Sequence, residues 1–326
     1  MLQRLYPAPT RKGSLKNQST TPQSTKNIEV LKTPSRLLLV RPSYLSIIKN
    51  GLKASLSQLK LTKEELEEKV FQEHHNIYET LYNKDFYVTY IDNKDSTIDS
   101  MFCNRFVSVH HPIETGASNT YGIIYPVYNS HSMKESIEQS ILLYIQQQYK
   151  EFIYYDLRFD NDWAYLEGLD SIVIDRYTKT VYAFLSSKTY YWKLLPFKHK
   201  LGYNIYLIGY SGKDERIPYT SFVMSIGRTW AVICSDVLDD YYKKTTIENL
   251  QKTKTVIDIT SEQLQNYCGN IIEITNKHGE TYTLMSSRSY SYFTEEQKAV
   301  FKNIIHIPLD IIEKYGHGIR RCIMEI

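Results

Sequence analysis

The chain has 326 residues, 42% hydrophobic and 23% charged, with a net charge of +3. That is enough apolar material for one large domain or two ordinary ones, while a charge this small and scattered gives no argument for nucleic-acid binding. No apolar run is long enough to span a membrane.

The four cysteines, Cys103, Cys234, Cys268 and Cys322, show no C-x-x-C spacing and follow no secretory signal. This predicts free thiols in a reducing compartment, the cytoplasm. Tyrosine is over-represented, 29 against 11 phenylalanines; spread along strands, tyrosines are half-buried sheet residues and not a base-stacking platform.

Residues 1–33 are rich in Pro, Ser, Thr, Asn and Gln, carry no acid before Glu29, and are basic through Arg4, Arg11, Lys12, Lys16 and Lys26. The stretch reads as a disordered basic tail, with a mitochondrial targeting segment as the alternative; Pro7 and Pro9 interrupt the long amphipathic helix the latter needs. Regular elements begin at a buried strand, Arg36–Arg41. A helix follows over Lys63–Asn83, with Leu66, Val70, Phe71, Ile77 and Leu81 on one face. Strands are predicted at Phe86–Ile91, Arg105–His110 and Tyr121–Tyr128, then a helix over Lys134–Lys150 with Ile137, Ile141, Tyr144, Ile145 and Gln148 on one stripe. Further strands fall at Phe152–Asp156, Ser171–Asp175, Val181–Ser186, Ile205–Tyr210, Ser221–Ile226 and Trp230–Cys234. Short helices near Thr246–Lys252 and Ser261–Tyr267 precede strands at Asn270–Thr275 and Tyr282–Met285. A helix opens at Thr294, where T-E-E-Q supplies a cap. Ile304–Ile307 and an apolar C-terminal strand close the chain. Composition does not change after residue 34, so residues 34–326 form one α/β domain. Helices are too few for a (β/α)₈ barrel, and no G-x-G-x-x-G or P-loop is present.

Two stretches carry chemistry. In LEGLDSIVID (166–175), Glu167 and Asp170 flank a glycine ahead of an apolar strand. Two carboxylates at a strand mouth suit a planar cation such as guanidinium, held by paired charge-assisted hydrogen bonds; capping of a turn is the structural alternative. Asp99 is a third acid before a strand-like segment, with the same two readings. In GHGIRRCIMEI (316–326), Cys322 follows Arg320 and Arg321, and nearby positive charge favours a thiolate. His317 and His110 are further candidates for proton transfer. His74 and His75 are adjacent on a helix and point to different faces, so they do not make a metal pair, and no metal or cofactor is indicated.

The ordered blocks LLVRPSYL (38–45), IDSMFCNRFVSVHH (98–111), IIYPVYN (123–129), LEGLDSIVIDRYTKTVYAFLSSKT (166–189), YTSFVMSIGRTWAVICSDVL (219–238), CGNIIEI (268–274), LMSSRSY (284–290) and GHGIRRCIMEI (316–326) resemble the pentein superfamily. The likeness is to its amidinotransferase-like branch, which includes arginine deiminase, dimethylarginine hydrolase and the citrulline-utilisation hydrolases. It implies a five-bladed α/β propeller of ββαβ units. It also implies a cysteine-dependent hydrolase or amidino-group transferase acting on a small guanidino or ureido substrate (arginine, methylarginine or citrulline-like) through a covalent thiol intermediate. On this resemblance Cys322 is the nucleophile, preceded by Arg321; Glu167 matches the family carboxylate, and Asp99 and Asp170 orient substrate.

The departures define a second reading. The family's proton-carrying histidine is replaced by Tyr219, and the asparagine of its Thr-Asn pair by Ser221. A tyrosine, with an unperturbed pKa near ~10, does not do a histidine's work at neutral pH. Lys188 stands for a substrate-binding arginine, keeping charge but not the bidentate fork. His317 and Ile319 replace small residues before the cysteine. A catalytically degenerate pentein that binds or regulates is therefore the alternative to the hydrolase. No nucleic-acid or membrane partner is expected, and a homodimer is left open.

Overall fold

A computed structural model describes residues 35–42, 61–92, 101–127, 135–159, 164–209, 219–314 and 318–326. The basic tail, Asp99 and His317 lie outside the described residues. The strands are β1 (Arg36–Val40), β2 (Tyr87–Ile91), β3 (Val107–His110), β4 (Thr120–Ile124), β5 (Phe152–Asp156), β6 (Ile172–Asp175), β7 (Thr180–Ala183), β8 (Asn204–Leu207), β9 (Met224–Ile226), β10 (Trp230–Ile233), β11 (Thr255–Asp258), β12 (Ile272–Thr275), β13 (Thr281–Ser286), β14 (Ile304–Ile307) and β15 (Met324–Glu325). They form five three-stranded sheets, β3-β4-β5, β6-β7-β8, β9-β10-β11, β12-β13-β14 and β15-β1-β2.

Every sheet follows one rule: its first strand is antiparallel to the second, and the second parallel to the third. A parallel neighbour requires a crossover, usually helical. The crossovers carry α1 (Lys63–Asn83), α2 (Glu135–Gln148), α3 (Leu195–His199), α4 (Asp240–Gln251), and the pair α5 (Ser287–Tyr292) and α6 (Glu295–Val300). Five ββαβ units of this kind make the five-bladed α/β propeller of the penteins. The fifth blade closes the ring by pairing the C-terminal β15 with β1, Leu37 opposite Glu325 and Leu38 opposite Met324.

Local chemistry explains the helices. Thr62 caps α1: its hydroxyl accepts from the Glu65 amide at 3.1 Å, and the Glu65 carboxylate accepts from the Thr62 amide at 2.7 Å. Leu66, Val70, Ile77 and Leu81, four or seven residues apart and so one or two turns apart, are buried on the face turned to the blades. The T-E-E-Q motif forms the expected cap, with Thr294 accepting from the Gln297 amide at 3.2 Å. On α2, Ile141 and Ile145 are buried, whereas Gln148 is exposed and accepts a hydrogen bond from Arg36.

Three expectations are corrected. The segment 221–223 belongs to a helical turn, Thr220–Val223, and β9 begins only at Met224. Residues 103–105 likewise form a 3₁₀ turn ahead of β3, so Arg105 is not a strand residue. The third strand of the β9 sheet, β11, goes unread in the sequence: only Ile257 of its four residues is buried, so it carries no apolar pattern.

Candidate functional site

Each inner strand is preceded by a short turn, and these five turns meet around the axis of the propeller. They are Cys103–Arg105, Gly168–Asp170, Thr220–Val223, the turn at 266–270 and Ile319–Cys322. Polar contacts stitch each to the next. Arg105 is ion-paired with Glu167. The Thr220 hydroxyl donates to the Ser171 carbonyl at 2.6 Å. The Asn270 side chain donates to the Ser221 carbonyl at 3.0 Å and accepts from the Arg320 amide at 3.2 Å. The Cys103 thiol lies 3.5 Å from the Cys322 carbonyl and completes the circle. Backbones approach closely here. Gly168 has φ +55°, and a Cβ at this position would overlap the Arg105 carbonyl.

The ring brings together most of the residues expected from the sequence. Glu167 and Asp170 are 1% and 0% exposed, and each faces an internal guanidinium. Arg105 holds Glu167, and Arg321 holds Asp170 at 2.5 Å. The Arg321 guanidinium is sandwiched between the rings of Phe102 and Tyr219, at 5.2 and 5.3 Å from their centroids. Lys188 covers the same tyrosine, 5.1 Å from its centroid, and donates to its hydroxyl at 3.2 Å. Tyr219 thus has two cations against its ring, contacts that a flat, polarisable ring makes well and that need no proton transfer. Burial raises the Asp170 carboxyl above the usual range, although Arg321 and then Arg105 oppose the shift.

Cys322 sits at the edge of this cluster, fully buried among Leu37, Met101, Phe102 and Ile323. Burial pushes its thiol well above the ordinary cysteine range, and nearby Arg321 offsets only part of that. Among the described residues, no imidazole makes a hydrogen bond to the sulfur. His110 is a satisfied core histidine: Nε2 is 2.8 Å from the Ser108 hydroxyl, Nδ1 is 3.3 Å from that of Tyr203, and burial drives its pKa well down. His74 is buried against the Tyr90 hydroxyl at 2.9 Å, and His75, which faces Glu79, stacks on the same Tyr90 ring at 6.1 Å, so the two do not turn to separate faces as expected. Among the described residues no His, Cys, Asp and Glu group is arranged to hold a metal.

Sequence reasoning missed Arg105, because an arginine directly ahead of Phe106, Val107 and Val109 reads as the start of a strand. It also missed Asn104, whose buried amide forms no hydrogen bond and lines an axial cavity of about 100 Å³ with Leu169, Ile271 and Arg320. None of Glu167, Asp170, Tyr219 and Cys322 lines that cavity, which has the volume of roughly three waters.

Fold and site define a pentein. The family model for eukaryotic N,N dimethylarginine dimethylhydrolase matches residues 44–326, and the chain belongs to that family. No curated protein sequence matches it. Among solved structures, the N-terminal domain of the arginine dihydrolase ArgZ, with a covalently bound reaction intermediate, is 14% identical (TM-score 0.67, covering 89% of this chain and 97% of that one). A dimethylarginine dimethylaminohydrolase in adduct with S-methyl-L-thiocitrulline is 13% identical (TM-score 0.62, 90% and 100%). AgrE, in complex with ornithine and NAD+, is 12% identical (TM-score 0.68, 90% of this chain and 39% of that one). At these identities the likeness is one of fold.

Proposed function

We propose that this chain is a non-hydrolysing member of the dimethylarginine dimethylhydrolase family, a binding or regulatory protein on a pentein scaffold. One observation carries the reading: Glu167, the carboxylate a guanidino substrate would need, is already ion-paired with Arg105. Charge points the same way. Among the described residues, Glu167 and Asp170 supply two negative charges to the cluster, while Arg105, Arg321 and Lys188 supply three positive ones. A cationic substrate would have to approach these resident cations, and like charges ~4 Å apart repel by about 4 kcal/mol at the effective dielectric of a protein surface. A buried thiol with a raised pKa, and a tyrosine in place of the family histidine, supply neither a ready thiolate nor a proton carrier.

Family membership and the fold shared with arginine dihydrolase and dimethylarginine dimethylaminohydrolase support amidino hydrolysis of arginine-type substrates as the chemistry of the lineage. The second reading, hydrolysis through a covalent Cys322 intermediate, is favoured by the retention of Cys322 and Glu167 on the two turns that flank Cys103–Arg105. The two separate on product formation. Purified protein and its Cys322→Ala variant are incubated with dimethylarginine, arginine and citrulline, and citrulline, ornithine, dimethylamine and ammonia are measured. The proposal expects the two proteins to be indistinguishable from the buffer blank. Turnover by the native chain that disappears with Cys322→Ala would establish the hydrolase.

A further inference from the structure

We infer that Arg105 is an internal ligand: its guanidinium occupies the place where Glu167 would hold a free guanidinium, so the site is closed to such ligands by the chain's own side chain. The inference deepens the proposed function and rests on it in one respect, that Glu167 marks the guanidinium position.

The geometry carries it in three steps. Glu167 is 1% exposed, and a buried carboxylate is maintained only by a cation or by several donors. The cation that Glu167 has is a guanidinium, the planar group that pairs best with a carboxylate. The arginine is brought there by a local device and not by a flexible arm. Arg105 ends the 3₁₀ turn before β3, its own exposure is 6%, and Gly168 lets the Glu167 turn pack against its backbone. A guanidinium attached to the chain has a far higher effective concentration at Glu167 than a dissolved one. Ligand exclusion therefore follows from covalent attachment, without any blocking loop.

Removing the side chain should convert the internal ligand into a vacancy of defined chemistry. Arg105→Ala leaves Glu167 buried without that partner and should lower Tm by several degrees. Guanidinium chloride or methylguanidine at millimolar concentration should then raise the Tm of Arg105→Ala in a saturable manner. Urea, isosteric and neutral, and potassium chloride at equal ionic strength should not. Native protein should show no such gain, and Arg105→Ala combined with Glu167→Gln should lose it, because the carboxylate is what recognises the cation.

Where Arg105→Ala does not fold unaided, the same comparison is made on the yield of refolding from urea with and without methylguanidine. The inference predicts a guanidinium-dependent yield. It is overturned if neither Tm nor yield responds to either cation, or if native protein and both variants respond alike. The two refutations are distinguishable: turnover in the native protein refutes the proposed function and the closed site together, whereas an unresponsive Arg105→Ala refutes only the internal-ligand assignment.

Discussion

At the scale of single residues, the decisive feature is the pairing of acids and arginines below the surface. Breaking a buried pair by removing one partner costs more than replacing both, because the survivor is left as an uncompensated charge. Arg105→Met or Glu167→Leu alone should therefore destabilise the fold by about 3–5 kcal/mol, whereas the two together should cost much less. Urea unfolding of the two single variants and the double variant measures this as a coupling energy; strict additivity would mean that the pair contributes nothing. Glu167, Asp170 and Cys322 were legible in the sequence because acids flanking a glycine before an apolar strand, and a cysteine beside arginines, are recognisable without a fold. What those acids bind was not. The partners come from residues 62 and 151 positions away in the chain, Arg105 and Arg321, and no local pattern announces them.

At the scale of elements, the five turns matter more than the strands they introduce. Sequence periodicity identified the long helices α1 and α2 and most inner strands, since α1 shows its buried stripe of Leu66, Val70, Ile77 and Leu81 plainly, but left the short α3 and α5 unread and started α4 at Thr246 and not Asp240. It extended two strands, Arg105–His110 and Ser221–Ile226, back into turns, because short apolar runs look alike in a strand and in a buried 3₁₀ turn. The cost of that error was functional, since Arg105 was concealed in one of them. The turn ring also makes a testable demand on Gly168. Its left-handed backbone and its proximity to the Arg105 carbonyl leave no room for a methyl group. Gly168→Ala should lower stability by roughly 2 kcal/mol or more, measurable by urea unfolding. A neutral result would show that the Arg105 and Glu167 turns are not tightly packed.

At the scale of the whole molecule, the propeller buries histidines that its unfolded chain would protonate. His74 is depressed to about 3 and His111 to about 4, in both cases chiefly by burial. Folded-state values below the unfolded value mean that the unfolded chain binds more protons as pH falls below ~6.5, so stability is full above that point and declines beneath it. Each such histidine should cost roughly 2 kcal/mol by pH 5 relative to pH 8. His74→Gln should flatten the dependence of the urea midpoint on pH between 6.5 and 4, and an unchanged slope would exclude His74 as a source of acid sensitivity.

The ordered sequence blocks were sufficient for the five-bladed architecture because, within the described residues, each block reaches a strand or turn that recurs from blade to blade. Whether the family's chemistry persists depends instead on what fills the centre of that ring. The most direct measurement is intact-mass spectrometry of the native protein after incubation with dimethylarginine, quenched in acid to trap any thiol-linked species. A mass unchanged from the untreated chain, at every time of quenching, is the result predicted for a site held by Arg105. A substrate-dependent adduct mapped to Cys322 would contradict it.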